Sequence, residues 1–306
     1  MGTRITQGMM NNQLLRNISA NLSRMNESQN QLSTGRRINA PSDDPVGISF
    51  SLRYRSEVSV NDQYQSNADS AVSWVDFSDG MLGQAGDVLQ RARELAVEGS
   101  TGSNPQLALD AINVEVKQLF SHMVNIGNSQ FNGKYVFNGQ LTDKPPYNEA
   151  TADADTGTVD DGEIKFDMGV GVRMPVNVLG KQAFGVPYDA TDPAKDNVFK
   201  ALQDLSAALA SGDIKEVSDN IIGRLDKLHD KLLEARSDIG ARANRIGLSQ
   251  SRLQDIGLNL QTLQSKTEDA DISAVITNLK TDENVYQASL SVGSKIISTS
   301  LIDFLR

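Results

Sequence analysis

The sequence predicts a mainly α protein: an elongated bundle of long, coiled-coil-like helices drawn from both chain ends, with a small β-rich domain inserted in the middle. Three observations predict it. Apolar residues in both halves of the chain recur at alternating steps of three and four, the seam of a helix that packs along another helix. Between roughly 132 and 190 the period shortens to two, which is the spacing of a half-buried strand. The 306 residues include no Cys and only two His, so disulfides and Cys-containing zinc sites are excluded as a source of stability.

The first helix is read from Leu15, Ile18, Leu22, Met25 and Leu32, a narrow apolar seam interrupted only by Gln29. After the turn-rich stretch from Gly35 to Asp44, the Asp44 carboxylate is placed to cap a second helix. Pro45 suits its first position. Ala68, Ala71, Val75, Leu82, Ala85, Leu89, Ala92 and Ala96 then hold one phase, and so many alanines imply close packing against a neighbouring helix. Asn104-Pro105 repeats the capping signal. Leu109, Ile112, Val116, Leu119, Met123 and Ile126 follow, and Gly127 ends that helix.

The C-terminal third carries the longest register. One column reads Leu225, Leu232, Ile239, Ile246, Leu253, Leu260 and Thr267; the other reads Ile221, Leu228, Ala235, Arg242, Ser249, Ile256, Leu263 and Ala270. Gly240, Gly247 and the polar Arg242 and Ser249 mark its weakest part, where a kink or fraying is expected. From Tyr286 a further series, Leu290, Ile297, Leu301, Phe304 and the neighbouring Leu305, runs to the chain end.

In the middle, Val170, Val172, Met174, Val176 and Val178 alternate with Gly171, Arg173, Pro175 and Asn177, a strand with Glu163 to Asp167 as its partner. Asn132-Gly133 and Asn138-Gly139 flank a short apolar run and read as hairpin turns. Residues 141–200 hold 11 acidic and 6 basic side chains, so this insertion is an acidic, solvated module. The division expected is terminal helices over 1–40 and 270–306, a helical rod over 41–131 and 200–269, and the β-rich insertion over 132–199. Leu109, Ile112, Val116, Leu119, Leu225, Leu232, Ile239, Ile246, Leu253 and Leu260 are the expected rod core.

Composition removes most chemistry. Lys+Arg 29 against Asp+Glu 39 gives a net charge of −10, and there is no basic tail, so no nucleic-acid partner is expected. No run of eighteen apolar residues offers a membrane span, and the start lacks the pattern of a cleaved secretory signal. His122 and His229 each adjoin a seam residue without a second His at helical spacing, so no cofactor or metal is expected and an enzyme is poorly supplied. The acidic run from Asp153 to Glu163 has Thr158 and Ile164 where a calcium loop needs Gly and Glu. Gly169-Val-Gly171 reads as a strand feature, not a nucleotide loop, and Trp74 beside Val75 reads as core.

The chain ends are unusual in another way. Residues 11 to 34 contain 14 Asn, Gln, Ser or Thr but only three charges, Arg16, Arg24 and Glu27. A neutral polar face beside an apolar seam suggests that both faces meet protein. Such helices are marginal alone and order when they pair, either as a hairpin inside one monomer or against other chains.

Leu32-Ser-Thr-Gly-Arg-Arg-Ile-Asn39, followed by Asp43-Asp44 and Gly47, resembles the N-terminal signature of the flagellin superfamily, as does Leu89-Gln-Arg-Ala-Arg-Glu-Leu-Ala-Val97. Asn284-Val-Tyr-Gln-Ala-Ser-Leu290 and Ser294-Lys-Ile-Ile297 resemble its C-terminal helix. Within the superfamily, Phe131-Asn-Gly-Lys-Tyr-Val-Phe-Asn-Gly-Gln-Leu-Thr-Asp-Lys-Pro-Pro-Tyr147 and Ser300-Leu-Ile-Asp-Phe-Leu-Arg306 are more similar to the hook-filament junction branch than to filament flagellin, which stays as the alternative. The resemblance implies a non-enzymatic structural subunit, exported unfolded through the flagellar type III apparatus without signal cleavage. Its implied partners are other copies of itself, hook-associated protein 1, flagellin and a flagellar export chaperone. The implied assembly interface lies on the terminal helices, at Leu15, Ile18, Leu22, Met25, Leu32, Tyr286, Leu290, Ile297, Leu301, Phe304 and Leu305.

Overall fold

The computed structural model describes residues 7–101, 105–147, 159–189, 191–192 and 195–304, the side chains of 7 and 296–304 excepted. Helices α1 (Gln7–Thr34), α2 (Pro45–Gly99) and α3 (Gln106–Gly127) lead into two small ribbons, β1 (Gln130–Phe131) with β2 (Lys134–Tyr135) and β3 (Lys165–Asp167) with β4 (Arg173–Pro175). Short α4 (Gly180–Phe184), α5 (Val198–Ser211) and α6 (Ile214–Glu216) follow, and a π-helical turn, Val217–Ile221, opens into the long α7 (Ile222–Glu268) and then α8 (Ile272–Phe304). The fold is thus mainly α, with long helices from both ends and a small strand region between them.

The residues divide into two units: the first is 1–60 with 256–306, the second 61–255. These boundaries differ from the expected ones at 40 and 270. Within the second unit, the insertion and the helices share one apolar core, so residues 132–199 are not a layer with a separate core.

In the second unit the α2 column from Ala68 to Ala96 is buried throughout. On α3, Leu109, Ile112, Val116, Met123 and Ile126 are buried, and Leu119 packs half-buried against the core. On α7, Leu225, Leu232, Ile239, Ile246 and Leu253 are buried, while Leu260, in the first unit, is only half-buried. Helix α7 runs unbroken through Gly240 and Gly247, so the fraying expected there is not found. The polar residue in that stretch is accounted for: Arg242 donates to the Asn177 carbonyl at 2.8 Å and to Asp238 at 2.6 Å, so the guanidinium ties the helix to the insertion. The irregular turn lies upstream, at Val217–Ile221, where the periodicity carries no warning.

The junction-like motif from Phe131 to Tyr147 has a local structural reason at most positions. Asn132 (φ 50°) and Gly133 (φ 75°) are both left-handed, the turn that joins β1 to β2 with Phe131 opposite Lys134. Asn138 is fully buried, donates to the carbonyls of Leu141 and Lys144 at 3.0 Å each, and accepts from the Asp160 amide at 3.1 Å. It organises a loop, not the expected hairpin turn. Tyr147 lies within an aromatic cluster, 4.5 Å from Phe199 and 5.6 Å from Phe184 between ring centroids. Burial pushes its phenol well above the ordinary range.

Only Arg173–Pro175 of the predicted Val170–Val178 strand is extended in a ladder, with Phe166 opposite Met174. Gly169 (φ 148°) and Gly171 (φ 74°) make the preceding residues a turn closed by Val172 N–H to Gly169 O at 3.0 Å, and Val170 is 90% exposed. The Gly-Val-Gly run is therefore a turn feature. Alternation read the inward column correctly only from Met174 onward, through Val176 and Val178. Trp74 is buried edge-on to Phe131, with ring centroids 5.8 Å apart.

Candidate assembly surface

The first unit is built around a corner and a pair of helices. At the corner, Thr34 ends α1 and Gly35 turns with φ 71°. The chain then crosses the start of α8: the Ala270 amide donates to the Gly35 carbonyl at 3.0 Å, and the Arg37 amide to the Glu268 carbonyl at 2.7 Å. Asp43 accepts from the Asn39 and Ala40 amides at 2.9 and 2.8 Å, and these bonds hold its carboxyl below the usual range. Asp44 caps α2 through the Gly47 amide at 2.8 Å, which lowers its carboxyl likewise, and Arg37 approaches it at 3.4 Å. A Cβ at Gly47 would collide with the Asp44 side chain and lie 2.6 Å from Ile38 Cδ1, so glycine there lets the cap close.

Glu268 is the centre of this corner. Its side chain is buried and accepts from Ser51 Oγ, from Arg55 Nη2 at 2.6 Å and from Gln264 at 2.9 Å, with Arg36 at 3.6 Å. Burial pushes the carboxyl up, but the bonds from Ser51, Gln264 and Arg55 outweigh it and hold the group below its ordinary value. Arg36 and Arg37 therefore fasten the loop to the end of α7. Neither Glu268 nor Ser51 stands out by periodicity. Only the unusual burial demanded of an acid beside two basic loop residues could have pointed to them.

Helices α1 and α8 pack together. Leu14 meets Gly293, Asn21 meets Asp282 and Gly35 meets Ala270, so the two run antiparallel. The less exposed positions of α1 are Asn11, Leu14, Ile18, Asn21, Met25, Ser28 and Leu32, with Gln31 beside the last. This is the real seam. Of the expected interface residues, Ile18, Met25, Leu32 and Tyr286 are half-buried, while Leu15, Leu22 and Leu290 are 63%, 43% and 47% exposed. The seven-residue step from Leu15 to Leu22 is thus a second, more exposed stripe beside the seam. Ile297, Leu301 and Phe304 lie on α8 but their side chains, and Leu305 entirely, are outside the described residues. Asn104 and Asp153 to Thr158 also lie outside them; the nearby Asp160 accepts from the Gln140 amide and Asp161 pairs with Lys181, each at 2.7 Å.

The two units differ sharply in where their apolar residues go. The connected apolar core is drawn wholly from the second unit. In the first, only Ile38 and Val275 are buried apolar side chains among the described residues. Yet among the described residues sixteen of the twenty-four exposed large apolar side chains, including Met9, Phe50, Leu52, Leu258, Ile276 and Val292, belong to the first and smaller unit. That concentration of exposed apolar side chains makes the terminal unit the candidate surface for contact with protein. Among the described residues no cluster of acidic and His side chains is arranged for a metal, and no helix is long and apolar enough to cross a membrane.

Comparison with known proteins gives this surface a context. Flagellin FlaB2 of Treponema pallidum is 26% identical over 86% of this chain and 85% of its own length, and the flagellin of Bacillus subtilis 25% identical over 90% of each. Among solved structures, a Vibrio parahaemolyticus protein with a provisional description as flagellar hook-associated superposes with a TM-score of 0.67 at 21% identity, covering 74% of this chain and all of that one. Hook-associated protein-3 of Legionella pneumophila gives 0.60 at 13%, covering 70% and 98%. The pattern of the bacterial flagellin N-terminal helical region matches residues 5–142 and that of the C-terminal helical region residues 222–305, together well over half of the sequence. With both helical regions present at the two ends that build the corner and the α1–α8 pair, the chain belongs to the flagellin superfamily, a family of flagellar structural proteins.

Proposed function

We propose that this chain is the structural component that joins the hook-associated protein 1 zone to the flagellin filament, self-assembling through its paired N- and C-terminal helices. The observation that carries the assembly reading is the distribution of apolar surface: a closed core in residues 61–255 and outward apolar side chains in the terminal unit. Burying each large side chain of that kind contributes roughly 1.5–3 kcal/mol, so a handful matches the net stability of a typical domain, about 5–15 kcal/mol. The junction reading is supported by the fold likeness to hook-associated and junction proteins and by the Phe131–Tyr147 loop.

On this reading the subunit works outside the cell, reaching its place by type III export with no cleaved signal peptide and with an export chaperone as an early partner. It contacts its own copies, hook-associated protein 1 and flagellin, and carries out no reaction. The sequence relatives, which are named flagellins, support a second reading as a filament subunit. Deleting the gene in its host separates the two. Secreted, unassembled flagellin with hooks left bare is the outcome for a junction protein; loss of the flagellin band itself is the outcome for a filament subunit.

A further inference from the structure

Asn21 is a polar residue at the centre of the α1–α8 seam, 1% exposed, with Ile18 and Met25 on the same face. Its Nδ2 donates to the Asp282 carbonyl at 2.9 Å and its Oδ1 accepts from Arg24 at 2.6 Å. The same guanidinium reaches the Asp282 carboxylate at 3.3 Å. One cation thus joins a buried amide on its own helix to an acid on the partner helix.

We propose that Asn21, Arg24 and Asp282 form a polar clamp that holds the register of the α1–α8 pair beyond the corner bond from Ala270 to Gly35 and selects which helix α1 accepts. A heptad seam of small and apolar side chains is nearly self-similar on sliding by seven residues, and a single buried polar position is the device that breaks this degeneracy. Sliding α8 by one heptad brings either Val275 or Ser289 to the place of Asp282. Both lack a charge, so Arg24 loses its carboxylate and is left with only the Asn21 amide of its own helix. One of these slips also sets Tyr286 against Leu14, where Gly293 now leaves so little room that a Cβ would come within 2.9 Å.

Energy decides between a clamp for stability and one for specificity. Arg24 is 56% exposed, and exposed ion pairs contribute little. A buried asparagine is less stabilising than a leucine in the same seam. The arrangement therefore costs stability and returns a unique pairing. It also discriminates between chains, since a helix with no acid at the position of Asp282 leaves Arg24 without its carboxylate. The proposal needs only the α1–α8 pair, and holds for a junction or a filament subunit alike.

The absence of native cysteine makes the test direct. Nitroxide labels at Ser19→Cys and Ala288→Cys, both exposed, report the register of the full-length chain by electron–electron distance, and a heptad slip moves it by about 10 Å. The parent chain is expected to give one narrow distance. Asn21→Leu is expected to add a second distance with the melting temperature equal or higher. Arg24→Asp is expected to broaden the distance and Arg24→Asp with Asp282→Arg to narrow it again. A single unchanged distance in Asn21→Leu, a melting temperature that falls with the register intact, a broad parent distribution, or no recovery in the charge swap each overturns the clamp.

Discussion

Ser51 and Glu268, 217 positions apart in sequence, share a buried hydrogen bond that closes the corner where the two ends of the chain meet. The bond makes a residue of α2 report on the end of α7, and at its acid burial is the largest influence on the carboxyl, outweighed by the bonds from Ser51, Gln264 and Arg55.

Glu268→Gln should lower the stability of the corner by about 1.5–3 kcal/mol, the range for a hydrogen bond to a charged group. The folded carboxyl lies below its ordinary value of 4.5. Its contribution is therefore complete above that pH and is lost as pH falls through the folded value. Hydrogen exchange at the Arg37 and Ala270 amides checks this: the parent should open progressively in acid, and the variant should be open already at neutral pH with a flatter profile.

Leu253→Asp places a charge at a position 4% exposed and should destabilise the second unit by several kcal/mol. Leu260→Asp, on the same column but half-buried, should cost markedly less. Thermal unfolding of the two variants side by side measures the difference; equal losses would mean that the column is buried along its whole length.

Leu15→Ser with Leu22→Ser should leave the melting profile of the soluble chain close to that of the parent, because both side chains are exposed. The same pair should abolish stable incorporation into the flagellum. Electron microscopy of cells secreting the variant at normal levels is the readout, and normal filaments would place the assembly contacts elsewhere.

Gly127→Ala adds a Cβ that would come within 2.6 Å of the Tyr147 ring. In a packed aromatic cluster that overlap is relieved only by moving Tyr147, and a loss of about 1–3 kcal/mol is expected. Near-ultraviolet circular dichroism follows the cluster directly.

How much of this was legible in the sequence depended on whether a residue's partner was a helix face or a single atom. The columns of α2, α3 and α7 were readable because a buried stripe repeats with the helix itself, and Leu225 to Leu253 fell inward as the spacing requires. The α1 seam was misread by one position. Leu15 and Leu22 look like seam residues, but the inward stripe carries Asn21 and Ser28, and a stripe containing amides is invisible to an apolar count. Val170 was lost to the two neighbouring glycines, whose positive φ values turn the chain before the strand begins. The Glu268 corner depends on side chains more than 200 positions apart, and no local pattern encodes such a meeting.

The lack of an interior in the terminal unit has a thermodynamic consequence. A structure whose apolar side chains are covered only by other molecules is stabilised by mass action, so its melting point rises with protomer concentration. Residues 61–255, which carry their own core, have no such dependence. On the proposed assembly, neighbouring copies add to what the corner and the α1–α8 pair supply within one chain, so dilution is expected to weaken the terminal unit and leave residues 61–255 unchanged.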